Sequence, residues 1–140
     1  MEIKPEYVTF EQSKLLKEKE FDEACTQFYR EDEKLEFVQY YDSAAKNSVF
    51  NLEDTWFSGR KEFKPIAAAP EQHIVVEWLR IKHNIWVDVS IDQFSKPKNL
   101  QWMYSIVFLK DCTYSHSPKS YNSPQEAYSA AFDYILKQII

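Results

Sequence analysis

The hydrophobic rhythm of the chain changes at Asn84, and this change restricts the fold more than any other feature. Before it, within residues 67–109, Ile74, Val75, Trp78 and Leu79 recur at i, i+1, i+4 and i+5, one apolar stripe of an α-helix. Pro70 suits the first turn of that helix, where a missing N–H costs nothing, and Glu71 lies toward the positive end of its dipole. Arg80, Lys82 and His83 lie toward the negative end, and Asn84 tolerates positive φ as a helix stop. After it, Ile85, Val87, Val89 and Ile91 alternate with Trp86, Asp88, Ser90 and Asp92, the two-residue period of a strand with one buried and one wet face. A polar loop with Pro97 follows. Then Leu100, Trp102, Tyr104, Ile106 and Phe108 share one strand face. Met103, Val107 and Leu109 make the other face half apolar, which predicts a central strand covered on both sides. The short spacing between the two strands predicts antiparallel pairing.

Flanking segments extend this frame. Thr9 opens a first helix, with Gln12 as its capping-box partner and Leu15 and Leu16 as a thin apolar stripe. Phe21 is expected to fold back onto the core. Residues 25–30 and 35–41 flank a charged turn at 31–34 and predict a β-hairpin. Residues 42–64 read as a long ordered loop whose Phe50, Trp56, Phe57 and Phe63 form an aromatic lid. Residues 112–116 predict a third strand. Ser123-Pro124-Gln125-Glu126 then predicts a capped helix start, and Ala127, Ala130, Ala131, Tyr134, Ile135 and Ile139 trace its inner face. The fold class expected is α+β: a mainly antiparallel sheet with helices 70–83 and 124–139 packed on one face. The first helix and the hairpin are expected to extend that layer. A length of 140 residues predicts a single domain spanning 1–140.

Composition removes several function classes. Gly59 is the only glycine, so there is no glycine-rich phosphate loop or dinucleotide fingerprint. The formal net charge of −5 disfavours nucleic acid and anionic membrane as generic partners. There is no apolar run of membrane-spanning length, and the first ten residues are too polar for a signal peptide. Cys25 and Cys112 read as reduced thiols in a cytoplasmic protein. His73, His83 and His116 lack the spacing of metal ligands, so neither a metal nor another cofactor is expected. Cys25 with His116 would make a nucleophile and base only if the fold joined them. Asp88 and Asp92, with Ser90 between them, are candidates for acid–base work or a divalent cation, against the plainer reading of a solvated strand face. Trp86 sits among polar residues and marks a contact surface if that face is bare, or is covered by residues 42–64. Lys96, Lys98, Lys110 and Lys119, with Phe94, Trp102 and Tyr121, are candidates for a basic aromatic rim. The residues singled out as an interaction surface are Trp86, Asp88, Asp92, Lys96, Lys98 and Trp102.

Two resemblances bear on these residues. The order helix, three strands, helix over 70–139 resembles a double-stranded-RNA-binding domain. The start of its last helix, Ser123-Pro124-Gln125-Glu126, lacks the lysines with which such domains grip phosphate. The phrases YVTFEQSKLLKEKEFDEAC, AAAPEQHIVVEWLRIKHNIWVDV and YNSPQEAYSAAFDYILKQ resemble a family of small uncharacterised proteins encoded in gut bacteria and their phages. That family tends to carry glycine after the first helix, where this chain has Glu20. The resemblance implies a phage or mobile-element accessory protein with no assigned activity. The expected function is therefore non-enzymatic protein–protein interaction, with a second copy of the chain among the expected partners. Nucleic-acid binding through the α-β-β-β-α unit is the alternative, and an enzyme site under the 42–64 lid a third reading.

Overall fold

The computed structural model describes residues 6–38, 45–48 and 64–140. It is α+β; among the described residues 32% are helix and 32% strand, and the strands form two antiparallel three-stranded sheets. The chain divides into two compact units, Met1–Glu71 and Gln72–Ile140. The expected single layer is thus two sheets, and the hairpin does not extend the sheet that follows Asn84. Most of residues 42–64, including the expected aromatic lid, lies outside the described residues.

The first unit begins with α1 (Phe10–Glu18). Its capping box forms as the sequence predicts: the Gln12 N–H donates to Thr9 Oγ1 at 3.1 Å, and the Thr9 N–H donates to Gln12 Oε1 at 3.0 Å. The buried stripe of α1 differs from the one expected. Gln12, Ser13 and Leu16 are buried, while Leu15 is half-exposed. The cap itself explains Gln12, because its amide is held inward by Thr9. The helix ends with Glu20 at φ 66°, the Phe21 N–H on the Leu16 carbonyl and the Glu20 N–H on the Lys17 carbonyl. This is a Schellman motif, and Phe21 and Leu16 are its fully buried apolar pair.

The hairpin forms from β1 (Gln27–Arg30) and β2 (Leu35–Phe37), with Phe28 opposite Glu36. Glu33 takes φ 66° in its turn, and Arg30 reaches across to Asp32 and Glu36. The third strand, β3 (Pro65–Ala68), lies along the other side of β1, with Phe28 opposite Ala68. Ala67 and Ala68, which no strand period marks in the sequence, are strand residues. Alanine has weak strand preference, and pairing to β1 overrides it. Pro65 is accommodated because β3 is an edge strand. Asn47 ties this unit together: its buried amide donates to the Phe21 carbonyl at 2.7 Å and accepts from the Ala68 N–H at 2.8 Å.

The second unit runs α2 (Gln72–His83), β4 (Ile85–Ile91), β5 (Trp102–Phe108), β6 (Thr113–His116) and α3 (Pro124–Tyr134). This is the expected order of helix, three strands, helix. Asn84 stops α2 with φ 55°, as its residue type allows. The buried face of α2 is Gln72, Val75, Val76, Trp78 and Leu79, so Val76 is inside and Ile74 half-exposed. Ser123 caps α3 by accepting from the Glu126 N–H at 3.1 Å. Glu126 accepts from the Asn122 N–H rather than from Ser123, so the box closes one residue early. The inner face of α3 is Ala127, Ala131 and Phe132, continued by Ile135 and Leu136 in a π-helical turn, Ile135–Ile139. Tyr134 is outside that face and exposed.

β5 is the central strand and pairs antiparallel with both neighbours. Opposite residues in an antiparallel pair share a face. One face therefore carries Ile85, Val87, Tyr104 and Ile106, all buried under α2 and α3.

Candidate functional site

The opposite face of this sheet is the candidate site. Register assembles it in rows across the strands. Trp86 lies opposite Val107, and Val107 opposite Tyr114. Asp88 lies opposite Ser105, and Ser105 opposite His116. Ser90 lies opposite Met103. Trp86, Met103, Ser105 and Val107 are half-buried, while Asp88, Ser90, Tyr114 and His116 are exposed. α2 and α3 pack on the other face, with the Tyr128 hydroxyl of α3 within electrostatic reach of Asp88, and Met103 and Val107, expected to be covered on both sides, remain partly open to water. Tyr114, 64% exposed, stacks its ring on His116 with centroids 6.1 Å apart and 9° between planes. His116 Nδ1 lies 3.0 Å from Ser105 Oγ. The result is a flat apolar and aromatic patch, with one carboxylate at the β4 edge and one imidazole at the β6 edge.

The six residues singled out in the sequence fall into three places. Trp86 and Asp88 are on the open face. Asp92, Lys96 and Lys98 lie in the β4–β5 loop. Trp102 sits at the margin of the opposite face, with Tyr104 and Ile106, half-buried and opposite Ile91. The pairing of Asp88 with Asp92 does not survive the strand end. Asp92 holds the loop instead: Oδ1 accepts from the Phe94 N–H at 3.0 Å and Oδ2 from Ser120 Oγ at 2.6 Å. The Ser120 hydroxyl first, and the Phe94 amide second, hold its carboxyl below the ordinary aspartate range.

That loop collects most of the expected basic rim. Trp102 and Tyr121 exchange backbone hydrogen bonds at 2.8 and 2.7 Å, which brings residues 119–121 beside the loop. Lys119 Nζ lies 5.5 Å from the centre of the Tyr121 ring. Phe94 is 84% exposed, and Lys96 and Lys98 are exposed beside it. Lys110 is at the other end of β5, in the β5–β6 turn.

The arrangement of Asp88, Ser105 and His116 contains the residue types of a hydrolytic triad in the wrong order. In such a triad the carboxylate orients the imidazole from the side away from the serine. Here Asp88 and His116 flank Ser105, two interstrand steps or about 10 Å apart. His83 packs edge-on against Trp78 with centroids 4.7 Å apart, and no three His, Cys, Asp or Glu groups converge on a metal position among the described residues. Burial, then Glu23 and Glu71, push the Cys25 thiol up to about 12, so it is a poor nucleophile at neutral pH.

In the first unit a hollow of about 410 Å³ is lined by Lys17, Glu20, Phe21, Asp22, Asn47 and Ser48. Three of its polar side chains are committed to the chain itself. Lys17 Nζ donates to the Ile66 carbonyl at 2.9 Å, Asp22 Oδ1 accepts from the Ser48 N–H at 2.7 Å, and Asn47 is bonded on both sides of its amide.

No protein-family model, curated protein or solved structure matches this chain.

Proposed function

We propose that this chain is a non-enzymatic interaction protein that binds a protein partner through the open face of the β4–β5–β6 sheet. The single observation behind this reading is the row of Trp86, Val107 and Tyr114, a partly exposed aromatic and aliphatic band on the sheet face opposite the one that α2 and α3 cover. Large aromatics clustered on an open face are what protein contacts use, because they bury much area at little entropic cost. The alternation of Asp88, Ser90 and Ser105 with that band keeps the face soluble when it is unoccupied. The resemblance of the three sequence phrases supports placing it as a phage or mobile-element accessory protein in the cytoplasm. Replacing Tyr114 in the full chain by a photo-crosslinking amino acid tests the reading. Crosslinks to protein are expected from position 114, are expected to vanish when Trp86→Ser is added, and are not expected from position 77 on α2. Equal labelling at both positions, or none at either, refutes the reading.

A second reading, single-stranded nucleic acid, has one observation in its favour: the gathering of Phe94, Lys96, Lys98, Lys119 and Tyr121 at one end of the sheet. The net charge of −5 weighs against it.

A further inference from the structure

We propose that the partner on the open face is a second copy of this chain, docked face to face about a two-fold axis parallel to β5. The inference rests on the interaction reading above and adds the identity of the occupant. A two-fold interface demands a patch complementary to itself, in which residue i meets j and j meets i. The rows of this face meet that demand. Rotation about an axis along β5 keeps each row at its height and exchanges its β4 and β6 ends. Met103, Ser105 and Val107 on β5 then meet their own copies, apolar on apolar at both ends of the column. Trp86 comes over the second copy's Tyr114, and Tyr114 over its Trp86. Asp88 comes over the second copy's His116, and His116 over its Asp88.

The charge pattern is what selects a copy of this chain over an unrelated apolar partner. One edge of the row offers a carboxylate and the other an imidazole, so rotation converts one row into two complementary contacts. His116 is already set for this. Its Nδ1 is against Ser105 and its ring is stacked on Tyr114, which leaves Nε2 for a carboxylate from outside. Two sheets packed face to face align within about 30° and lie about 10 Å apart, a separation that long side chains such as Trp and Tyr fill. The face is also small. Three strands about 4.8 Å apart and some 20 Å long make on the order of 300 Å² of flat area, below the roughly 800 Å² per partner of a persistent complex. The dimer is accordingly weak, and its population follows protein concentration.

Sedimentation velocity of the full chain over a concentration series tests the proposal, with far-UV circular dichroism to verify the fold of each variant. The mass is expected to rise from 16.7 kDa toward twice that value as concentration rises. Asp88→Lys and His116→Asp, each made alone, are expected to weaken association about tenfold or more, the first by removing the carboxylate that meets the imidazole and the second by setting two carboxylates against each other. The double variant Asp88→His with His116→Asp restores the pairing with its ends exchanged, and is expected to return within about threefold of the parent. A chain that stays monomeric at every concentration overturns the proposal. So does association that Asp88→Lys leaves intact, as edge-to-edge pairing through β6 would, or a double variant no stronger than the singles. Crosslinking from position 114 to a different protein while the chain stays monomeric removes self-docking and leaves the interaction reading standing.

Discussion

Four residues other than glycine hold a left-handed backbone among the described residues: Glu20, Glu33, Asn84 and Cys112. Asn84 is suited to it; Glu20 is not. The Schellman hydrogen bonds around Glu20 show why a residue must turn left there. A β-carbon at that φ costs about 1 kcal/mol, so Glu20→Gly is expected to stabilise the chain by roughly that amount in urea titration. Cys25 makes a second test. Its thiol is neutral in the folded chain and its pKa rises from 9.0 to about 12, so the unfolded chain loses that proton first. The stability due to burying the neutral thiol is complete below pH 9.0 and is lost progressively between 9.0 and about 12. Stability measured against pH in that window should fall less steeply for Cys25→Ala than for the parent. At neutral pH a thiol reagent should label the exposed Cys112 and spare the buried Cys25.

At the scale of elements, the two faces of the β4–β5–β6 sheet have opposite tasks, and substitution should separate them. Ile106 is fully buried on the helix-covered face of the central strand. Ile106→Ala is expected to cost about 3 kcal/mol, because the packed helices relax only partly into the space left behind. Trp86→Ser, on the open face, is expected to change stability by about 1 kcal/mol or less while abolishing partner contact. Thermal melts and crosslinking yields measured on the same two variants check this; a Trp86→Ser melt as damaging as that of Ile106→Ala would show that Trp86 serves the core. The strands of this sheet were legible in the sequence because alternation is a local signal, and Asn84 marked where it began. β3 was not, since its alanines carry no strand signature and only the register with β1 makes them one. In α2 the covered residue is Val76 in place of the expected Ile74, because both are apolar and only the packed neighbour decides which is covered.

At the scale of the whole molecule, the α+β class follows from the order of helical and strand periods. Among the described residues no helix is long and apolar enough to cross a membrane. The acidic balance lies in the first unit, where residues 1–71 hold 16 of the 22 Asp and Glu against 10 of the 17 Lys and Arg, while residues 72–140 hold 6 against 7 and the exposed lysines of the β4–β5 loop are few. In a gel shift, weak retardation of single-stranded DNA at low salt is expected at most. It should disappear by about 150 mM salt, the steep dependence that a few phosphate contacts give. Retention at that salt, lost in Lys96→Glu with Lys98→Glu, would instead favour the nucleic-acid reading. Helix caps, the break at Asn84 and the pairing of neighbouring strands were all readable from residues, because each depends on groups a few positions apart. The site was not readable in the same way. Trp86 and Asp88 stood out as polar-face neighbours, but Ser105, Val107, Tyr114 and His116 joined them only through strand register; register puts Trp102 on the other face, and Asp92 left because the strand ends before it. Which face of a sheet stays open depends on where the helices pack, and that is decided by contacts between distant parts of the chain.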